Sequence, residues 1–138
     1  MGESPITRWF ADVSRTDLES ALSAFAPDAR VLTPDGRRAE GAAAIRVLLE
    51  EVIAAVRECS YETTAEWHQG DTWIAELLAR YELRDYTQIG PLPRAVIART
   101  SDDGIADLRI YGAHEPPLGE HRTGDEGIRI GGRWIPPL

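Results

Sequence analysis

The hydrophobic period of this chain changes from helical to alternating near the middle of the sequence, which restricts the folds that the chain can adopt. Between residues 42 and 58 the apolar side chains recur at spacings of three and four, as at Ile45, Leu48 and Leu49, so one long amphipathic helix is predicted there. From Tyr61 onward apolar and polar residues alternate, which indicates strands joined by short turns. Helices followed by an antiparallel meander are typical of an α+β fold in which helices cover one face of a sheet.

Two shorter helices and one strand are predicted ahead of the long helix. Ser4 and Pro5 suit the cap and the first position of a helix. A second helix is expected to begin at Thr16, because the sequence TDLE fits a capping box, and to be stopped by Pro27, because the residue before a proline is disfavoured in helical conformation. Residues 29–33 alternate and are followed by turn residues, so a strand and a turn are predicted there.

The alternating half of the chain is divided into strands by three turn signals. Residues such as Gly, Pro and Asp are concentrated at positions 69–71, 90–93 and 101–104. Arg80 and Glu82 fall on the polar side of the second strand, so both are expected to point away from the core rather than to form a catalytic pair.

Length, charge and cysteine content limit the functional classes that the chain can belong to. Its 138 residues fit one domain with a sizeable core, and its formal net charge of −8 opposes binding to nucleic acid. It contains no apolar run long enough to span a bilayer, and its first residues lack the pattern of a signal peptide. Cys59 is the single cysteine, which favours a cytoplasmic protein, and all fifteen basic residues are Arg, which favours a bacterial source. Together with the charge and the lack of an apolar run, these features lead us to expect no nucleic-acid or membrane partner.

Two stretches carry a resemblance to a known family. Residues 16–36, TDLESALSAFAPDARVLTPDG, and residues 104–112, GIADLRIYG, resemble the opening and the last strand of the SnoaL-like polyketide cyclases, within the nuclear transport factor 2-like superfamily. The resemblance implies a cystatin-like fold, in which a cone-shaped, curved antiparallel sheet packs on three N-terminal helices. It implies a domain at residues 1–115 and leaves a C-terminal tail at residues 116–138, expected to add a strand or to act as a dimer arm. Similar proteins commonly pair through the outer sheet face, so we expect a homodimer.

The same resemblance implies a function and also an alternative to it. It implies a small-molecule enzyme of cyclase, isomerase or hydrolase type that acts on an apolar metabolite by general acid/base chemistry and without a cofactor. However, the positions that match the acids of ketosteroid isomerase-like members hold Trp9, Thr33 and Ala95, and the position that matches the last-strand Asp holds Ile110. A non-catalytic domain of the same fold, which binds a hydrophobic ligand or simply dimerises, is therefore the alternative, and the sequence leaves open whether the chain is an enzyme.

His114 is the candidate catalytic residue. Continuing the alternation of Leu108, Ile110 and Gly112 points His114 inward at the cone mouth, where an imidazole can serve as acid or base near neutral pH. The alternative is a solvated loop residue ahead of the prolines at positions 116–117. Those prolines exclude the helix that an HExxH pair needs, so no metal site is predicted.

The other candidate site residues are expected to line a pocket for an apolar ligand. Amphipathic rings suit such a pocket, and neutral hydroxyl groups can orient the ligand within it. The alternative is that the rings are ordinary core. The predicted ligand-binding set consists of Trp9, Thr33, Tyr61, Thr63, Trp67 and Tyr81.

Overall fold

The computed structural model describes residues 4–112, 128–130 and 133–135. Three helices precede the long strands: α1 (Pro5–Ser14), α2 (Leu18–Ser23) and α3 (Ala42–Ala55). The strands are β1 (Phe25–Leu32), β2 (Arg38–Glu40), β3 (Val56–Gln69), β4 (Thr72–Leu83), β5 (Gln88–Ser101), β6 (Gly104–Gly112), β7 (Ile128–Ile130) and β8 (Arg133–Ile135). In the described part of the chain, no helix is both long and apolar enough to cross a membrane.

Strands β1 to β6 form one mixed sheet in the order β2-β1-β6-β5-β4-β3. All neighbouring pairs are antiparallel except β1 and β6, which run parallel. The predicted α+β class with three N-terminal helices is therefore confirmed, and the parallel pair is an addition to the predicted antiparallel sheet. Strands β7 and β8, which lie in the predicted tail, form a separate antiparallel pair.

The first two helices begin at polar caps, one of which differs from the prediction. The Ser4 hydroxyl accepts hydrogen bonds from the amides of Ile6 and Thr7 at 3.2 and 3.3 Å, as expected for the cap of α1. The predicted cap of α2 at Thr16 is wrong, because Asp17 accepts the bond from the helix amide, at 3.2 Å. Thr16 instead has a left-handed φ of 54°, which turns the chain between the two helices.

Prolines lie inside two strands, although the sequence predicts that they end a helix and separate two strands. Helix α2 ends at Ser23, ahead of Pro27, and β1 already begins at Phe25, so this proline lies within a strand rather than stopping the helix. The predicted break at residues 90–93 is wrong, because β5 continues through them. Beside the prolines the pairing with the next strand is irregular, within residues 25–30 of β1 and opposite residues 79–81 of β4. A strand tolerates a proline at such an irregularity, where no ladder hydrogen bond is lost.

The core lies between the helices and one face of the sheet, which we call the inner face. Its largest fully buried side chains come from α1, α3, β4, β5 and β6 and are Ile6, Ile45, Leu77, Val96, Ile105 and Leu108. Residues on the inner face of β3 to β6 are thereby held against α1, and the candidate site is built from them.

Candidate functional site

Two tyrosines of the predicted pocket meet on the inner face. Cys59 lies opposite Tyr81, and Tyr61 lies opposite Ala79, so the two tyrosines are diagonal neighbours on β3 and β4. The Tyr61 hydroxyl donates to the Tyr81 hydroxyl at 3.4 Å, and the two rings meet edge to face at 5.9 Å. The ring of Phe10 from α1 lies 4.6 Å from that of Tyr61 and forms an apolar wall. The alternating pattern of the two strands thus brings two phenol groups together beneath the first helix.

Arg94 is a charged residue of this inner face that the sequence analysis does not select. Its residue surface is only 5% exposed, and its guanidinium carbon lies 5.6 Å from the centre of the Tyr81 ring. The signal that could identify it is its shared parity with Val96 and Ala98, which are fully buried. That signal is weak because Ile97 on the opposite parity is also apolar, so the sequence of β5 does not show which side faces inward.

The backbone around Arg94 is closely approached by β6. Arg94 pairs with Leu77 on one side and with Gly112 on the other. Gly112 has a φ of 125°, and a Cβ atom there would lie 2.5 Å from the carbonyl oxygen of Pro93. A side chain is therefore excluded at this position, and at Gly112 only backbone atoms of β6 lie beside Arg94.

Cys59 completes the set of polar groups on this part of the inner face. The residue is half-buried on β3, and its Sγ donates to the carbonyl oxygen of Val13 in α1 at 3.7 Å. The thiol thus contributes to the packing of α1 on the sheet.

Trp9 lies deeper, between the first two helices. It is buried, and its indole Nε1 donates to the carbonyl oxygen of Ala21 in α2 at 3.1 Å. Its ring packs edge-on against Phe10 and Phe25. The polar atom of this predicted ligand-binding residue is thus engaged in holding α2 against α1.

Thr33 belongs to the turn that joins β1 and β2. Its hydroxyl donates to the carboxylate of Asp35 and accepts from the Arg37 amide at 3.1 Å. Burial would raise the pKa of Asp35, but the Thr33 hydroxyl, the Arg37 amide and the Arg37 charge outweigh it and hold that pKa below its ordinary value. The structure therefore places Thr33 in a polar turn, away from Tyr61 and Tyr81.

Thr63 and Trp67 are separated by an irregularity in β3. The Thr63 hydroxyl lies 3.3 Å from that of Thr7 in α1, which donates to Glu66 at 2.8 Å. The register of β3 shifts between residues 63 and 65, so the alternation reverses and Trp67 lies opposite Ile74, on the outer face of the sheet. Trp67 is 52% exposed there and is not brought together with the tyrosines.

Arg80 and Glu82 point toward β3 surface residues rather than toward each other. Arg80 pairs with Glu62 at 3.5 Å, and Glu82 pairs with Arg57 at 2.6 Å. The expectation that they do not form a catalytic pair agrees with this arrangement.

His114, the predicted catalytic residue, lies outside the described residues. The described part of β6 ends at Gly112, two positions earlier, beside Arg94. Among the residues that the structure describes, no group of three or more His, Cys, Asp or Glu side chains is arranged to hold a metal ion.

A concavity with a volume of about 630 Å³ lies at the other end of β6. It is formed by α1, α2 and the turn between β5 and β6, and its lining includes Arg8, Asp12, Arg15 and Asp102. Asp12 is buried there and forms an ion pair with Arg15. Because its lining carries charged side chains of both signs, this groove is a weaker candidate for an apolar ligand than the tyrosine cluster.

Known proteins share this fold. The sequence pattern of the SnoaL-like domain matches residues 6–108. No curated protein matches the chain. A protein of unknown function from Burkholderia pseudomallei, described as NTF2-like, is 16% identical, with a TM-score of 0.69 and with 78% of this chain and 87% of that chain covered.

Two other similar structures have a named ligand or reaction. TerC, co-crystallised with polyporic acid, is 18% identical, with a TM-score of 0.68 and with 78% of this chain and 88% of that chain covered. SalBIII, described as an epoxide hydrolase/cyclase-like enzyme in pyran ring formation in the polyether salinomycin, is 18% identical, with a TM-score of 0.69 and coverage of 78% and 87%. At these identities the likeness shows the fold, so the predicted nuclear transport factor 2-like fold is confirmed.

Proposed function

The chain belongs to the SnoaL-like domain family, and from that premise we propose that it is a small-molecule enzyme of cyclase, isomerase or hydrolase type acting on an apolar metabolite. The observation that carries this proposal is the pair of tyrosine hydroxyls, 3.4 Å apart, on an inner face whose other buried residues are mostly apolar. Phenol groups in such surroundings can donate hydrogen bonds to an oxygen atom on which negative charge develops.

Each tyrosine has a distinct role in the proposed chemistry. Tyr61 donates a hydrogen bond to the Tyr81 oxygen, which makes the Tyr81 hydroxyl a stronger donor toward a ligand carbonyl, ether or epoxide oxygen. Phe10 and the buried residues around it exclude water and so strengthen this hydrogen bond. His114 is proposed as the group that accepts a proton from the ligand or returns one to it.

The similar structures support a ligand site inside this fold. TerC was co-crystallised with polyporic acid, and SalBIII is named for a role in pyran ring formation. By analogy, we expect an unsaturated or oxygen-bearing ring compound to bind beside the tyrosine pair of this chain.

A specific observation also favours the non-catalytic alternative. The positions that match the acids of related enzymes hold Trp9, Thr33, Ala95 and Ile110. The polar atoms of Trp9 and Thr33 are hydrogen-bonded within the protein. A domain that binds a hydrophobic ligand without converting it would need no acid at these positions.

We also propose that the chain forms a homodimer through its outer sheet face. Trp67, Ile74 and Ile97 lie side by side across β3, β4 and β5, and Tyr111 lies in the next row on β6. Trp67 is about half exposed, and Ile74 and Tyr111 are also exposed. An apolar patch of this kind on a sheet face is typical of a protein interface.

Ligand binding and turnover can be tested in one experiment. Polycyclic aromatic polyketides, steroids and terpene epoxides are screened by thermal shift, since a ligand of the folded state raises the transition temperature by mass action. Compounds that bind are then followed for conversion by mass spectrometry, with wild type, Tyr81→Phe and His114→Ala. Tyr86→Phe is the matched control, because Tyr86 is exposed and packs against Arg57 on the surface.

The outcomes separate the two functions. We expect conversion by wild type and by Tyr86→Phe, with a loss of about 100-fold or more in Tyr81→Phe and in His114→Ala. Equal turnover by wild type and Tyr81→Phe would contradict the proposed acid, and equal turnover by His114→Ala would contradict the proposed proton acceptor. Binding without conversion by any of the proteins would identify a binding domain instead.

A further inference from the structure

Arg94 places a fixed positive charge beside the proposed ligand site. Among the described residues, the buried polar or charged ones are Ser4, Asp12 and Arg94, and of these Arg94 belongs to the sheet. Asp12 forms its ion pair with Arg15 in the groove at the far end of β6. A buried guanidinium is a fixed positive charge, and its attraction for an anionic group is stronger in low-dielectric surroundings than in water, so its position in a ligand-binding fold favours an anionic ligand.

The Tyr81 ring orients this charge. The guanidinium carbon stands 5.6 Å from the ring centre, within the range in which the negative face of an aromatic ring attracts a cation. The same ring carries the hydroxyl that accepts from Tyr61. The guanidinium and the hydroxyl pair are therefore held by one side chain and belong to a single cluster.

The hydrogen-bonding inventory of the cluster favours a ligand that only accepts. A guanidinium carries five N–H donors and no acceptor. A single carboxylate or carbonyl group cannot occupy all five donors, so the guanidinium can bind a ligand and keep a contact within the protein. The Tyr81 oxygen accepts from Tyr61, and its own O–H adds a further donor to the cluster. A carboxylate, phenolate or enolate oxygen satisfies donors of this kind most strongly, because charge-assisted hydrogen bonds are about twice as strong as neutral ones.

We propose that the ligand of this site carries an anionic oxygen group, which Arg94 binds together with the Tyr61–Tyr81 hydroxyl pair. The inference rests on the proposed function, since it names the chemical class of the ligand for the same site. The apolar wall of Phe10 then contacts the ring system of the ligand, and the anionic group determines its orientation.

Matched pairs of probes test the charge separately from the apolar body. Benzoate, 2-naphthoate and anthracene-2-carboxylate are compared with the corresponding neutral amides by isothermal titration calorimetry at pH 7. In wild type we expect each carboxylate that binds to do so about tenfold or more tighter than its amide, as is typical of a hydrogen bond to a charged group. This comparison needs no variant, so it does not depend on how a substitution at a buried position affects folding.

Variants then assign the preference to Arg94. Arg94→Met removes the charge and keeps an unbranched side chain, so we expect it to bind acid and amide alike while the affinity for the amide is retained. Arg94→Lys should keep part of the preference. Arg80→Met is the matched control, because Arg80 is an exposed arginine on the neighbouring strand, and it should behave as wild type.

The results distinguish this inference from the proposed function. If wild type binds a carboxylate and its amide equally, or if Arg94→Met folds and keeps the preference, the anionic ligand is wrong and the apolar site still stands. If no probe of either kind binds, the inference and the proposed small-molecule site are overturned together.

Discussion

Gly112 is the residue through which β6 approaches Arg94. Its φ is 125°, and a Cβ atom at this position would lie 2.5 Å from the Pro93 carbonyl oxygen, so a side chain would force the backbone to shift. Gly70, with a φ of 61° and open space around it, needs only the left-handed conformation. We expect Gly70→Ala to cost about 1–2 kcal/mol for that conformation alone. We expect Gly112→Ala to cost at least about 1 kcal/mol more because of the overlap. Urea unfolding of the two variants checks this, and equal losses would contradict the close approach.

The lowered pKa of Asp35 makes part of the stability dependent on pH. A group whose folded pKa is below its unfolded value stabilises the protein above the unfolded pKa, and that stabilisation is lost as the pH falls through the folded value. Thr33→Val removes the hydroxyl donor, so we expect a loss of about 1 kcal/mol at pH 7. The difference from wild type should shrink below about pH 4, near the ordinary pKa of an aspartate.

Urea unfolding of wild type and Thr33→Val at pH 7 and pH 3 measures this dependence. Thr64→Val is the control, because the Thr64 hydroxyl donates to the backbone carbonyl of Glu76 rather than to a titrating group. Its loss should be similar at both pH values. A loss in Thr33→Val that is equally large at pH 3 would show that Asp35 is not the partner responsible.

Single residues also show where prediction from the sequence stops. The sequence identifies Tyr61 and Tyr81 because regular alternation fixes their face. It groups Trp67 with them because it does not reveal the register shift after Thr63, which moves Trp67 to the outer face. It passes over Arg94 because an arginine in a strand is normally an exposed residue, and because apolar residues on both sides of β5 hide which side is buried.

At the level of elements, the corner between α1 and α2 depends on two adjacent residues with different tasks. Thr16 turns the chain in left-handed conformation, and Asp17 caps α2. We expect Thr16→Gly to stabilise the protein by about 1 kcal/mol, because glycine adopts this conformation without the steric cost of a Cβ atom. Asp17→Ala should destabilise it, since the Ser20 amide loses its acceptor.

Thermal unfolding of the two variants beside wild type tests this division of tasks. If Thr16 were the cap, as the capping-box pattern predicts, Thr16→Gly would lower the transition temperature and Asp17→Ala would leave it nearly unchanged. The structure predicts the reverse order. The pattern alone could not decide between the two residues, because Thr and Asp are both good caps and only the backbone conformation of Thr16 excludes it.

Element boundaries are predictable where a turn is local and poorly predictable where strands tolerate irregularity. The turn between β3 and β4 lies where glycine and aspartate predict it, at residues 70–71. The prolines at positions 27, 91 and 93 lie within strands. Irregular pairing accommodates those at 27 and 91, and this pairing depends on a partner strand distant in the sequence. The parallel pairing of β1 with β6 could not be predicted for the same reason, since a hydrophobic period gives the type of an element but not its neighbour.

At the scale of the whole molecule, the two faces of the sheet have different tasks. The inner face carries the tyrosine and arginine cluster, and the outer face carries the apolar row of Trp67, Ile74 and Ile97. Charged residues of both signs, including Arg109 and Asp107 on β6, lie on the surface near that row. A self-complementary interface needs an apolar centre and a rim on which charges of opposite sign can meet across a two-fold axis.

The homodimer can be tested by placing a charge at the centre of this row. Ile74 is 38% exposed and stands between Trp67 and Ile97, so Ile74→Glu would bury a carboxylate in the proposed interface. Val47 is 55% exposed on α3, away from the outer sheet face, and Val47→Glu adds the same charge there. By sedimentation velocity at micromolar concentration we expect a dimer for wild type and for Val47→Glu and a monomer for Ile74→Glu.

Because the outer face is separate from the inner cluster, the monomeric variant should still bind the aromatic probes. A monomeric wild type would contradict the dimer, and a dimeric, folded Ile74→Glu would show that the chains pair through another surface.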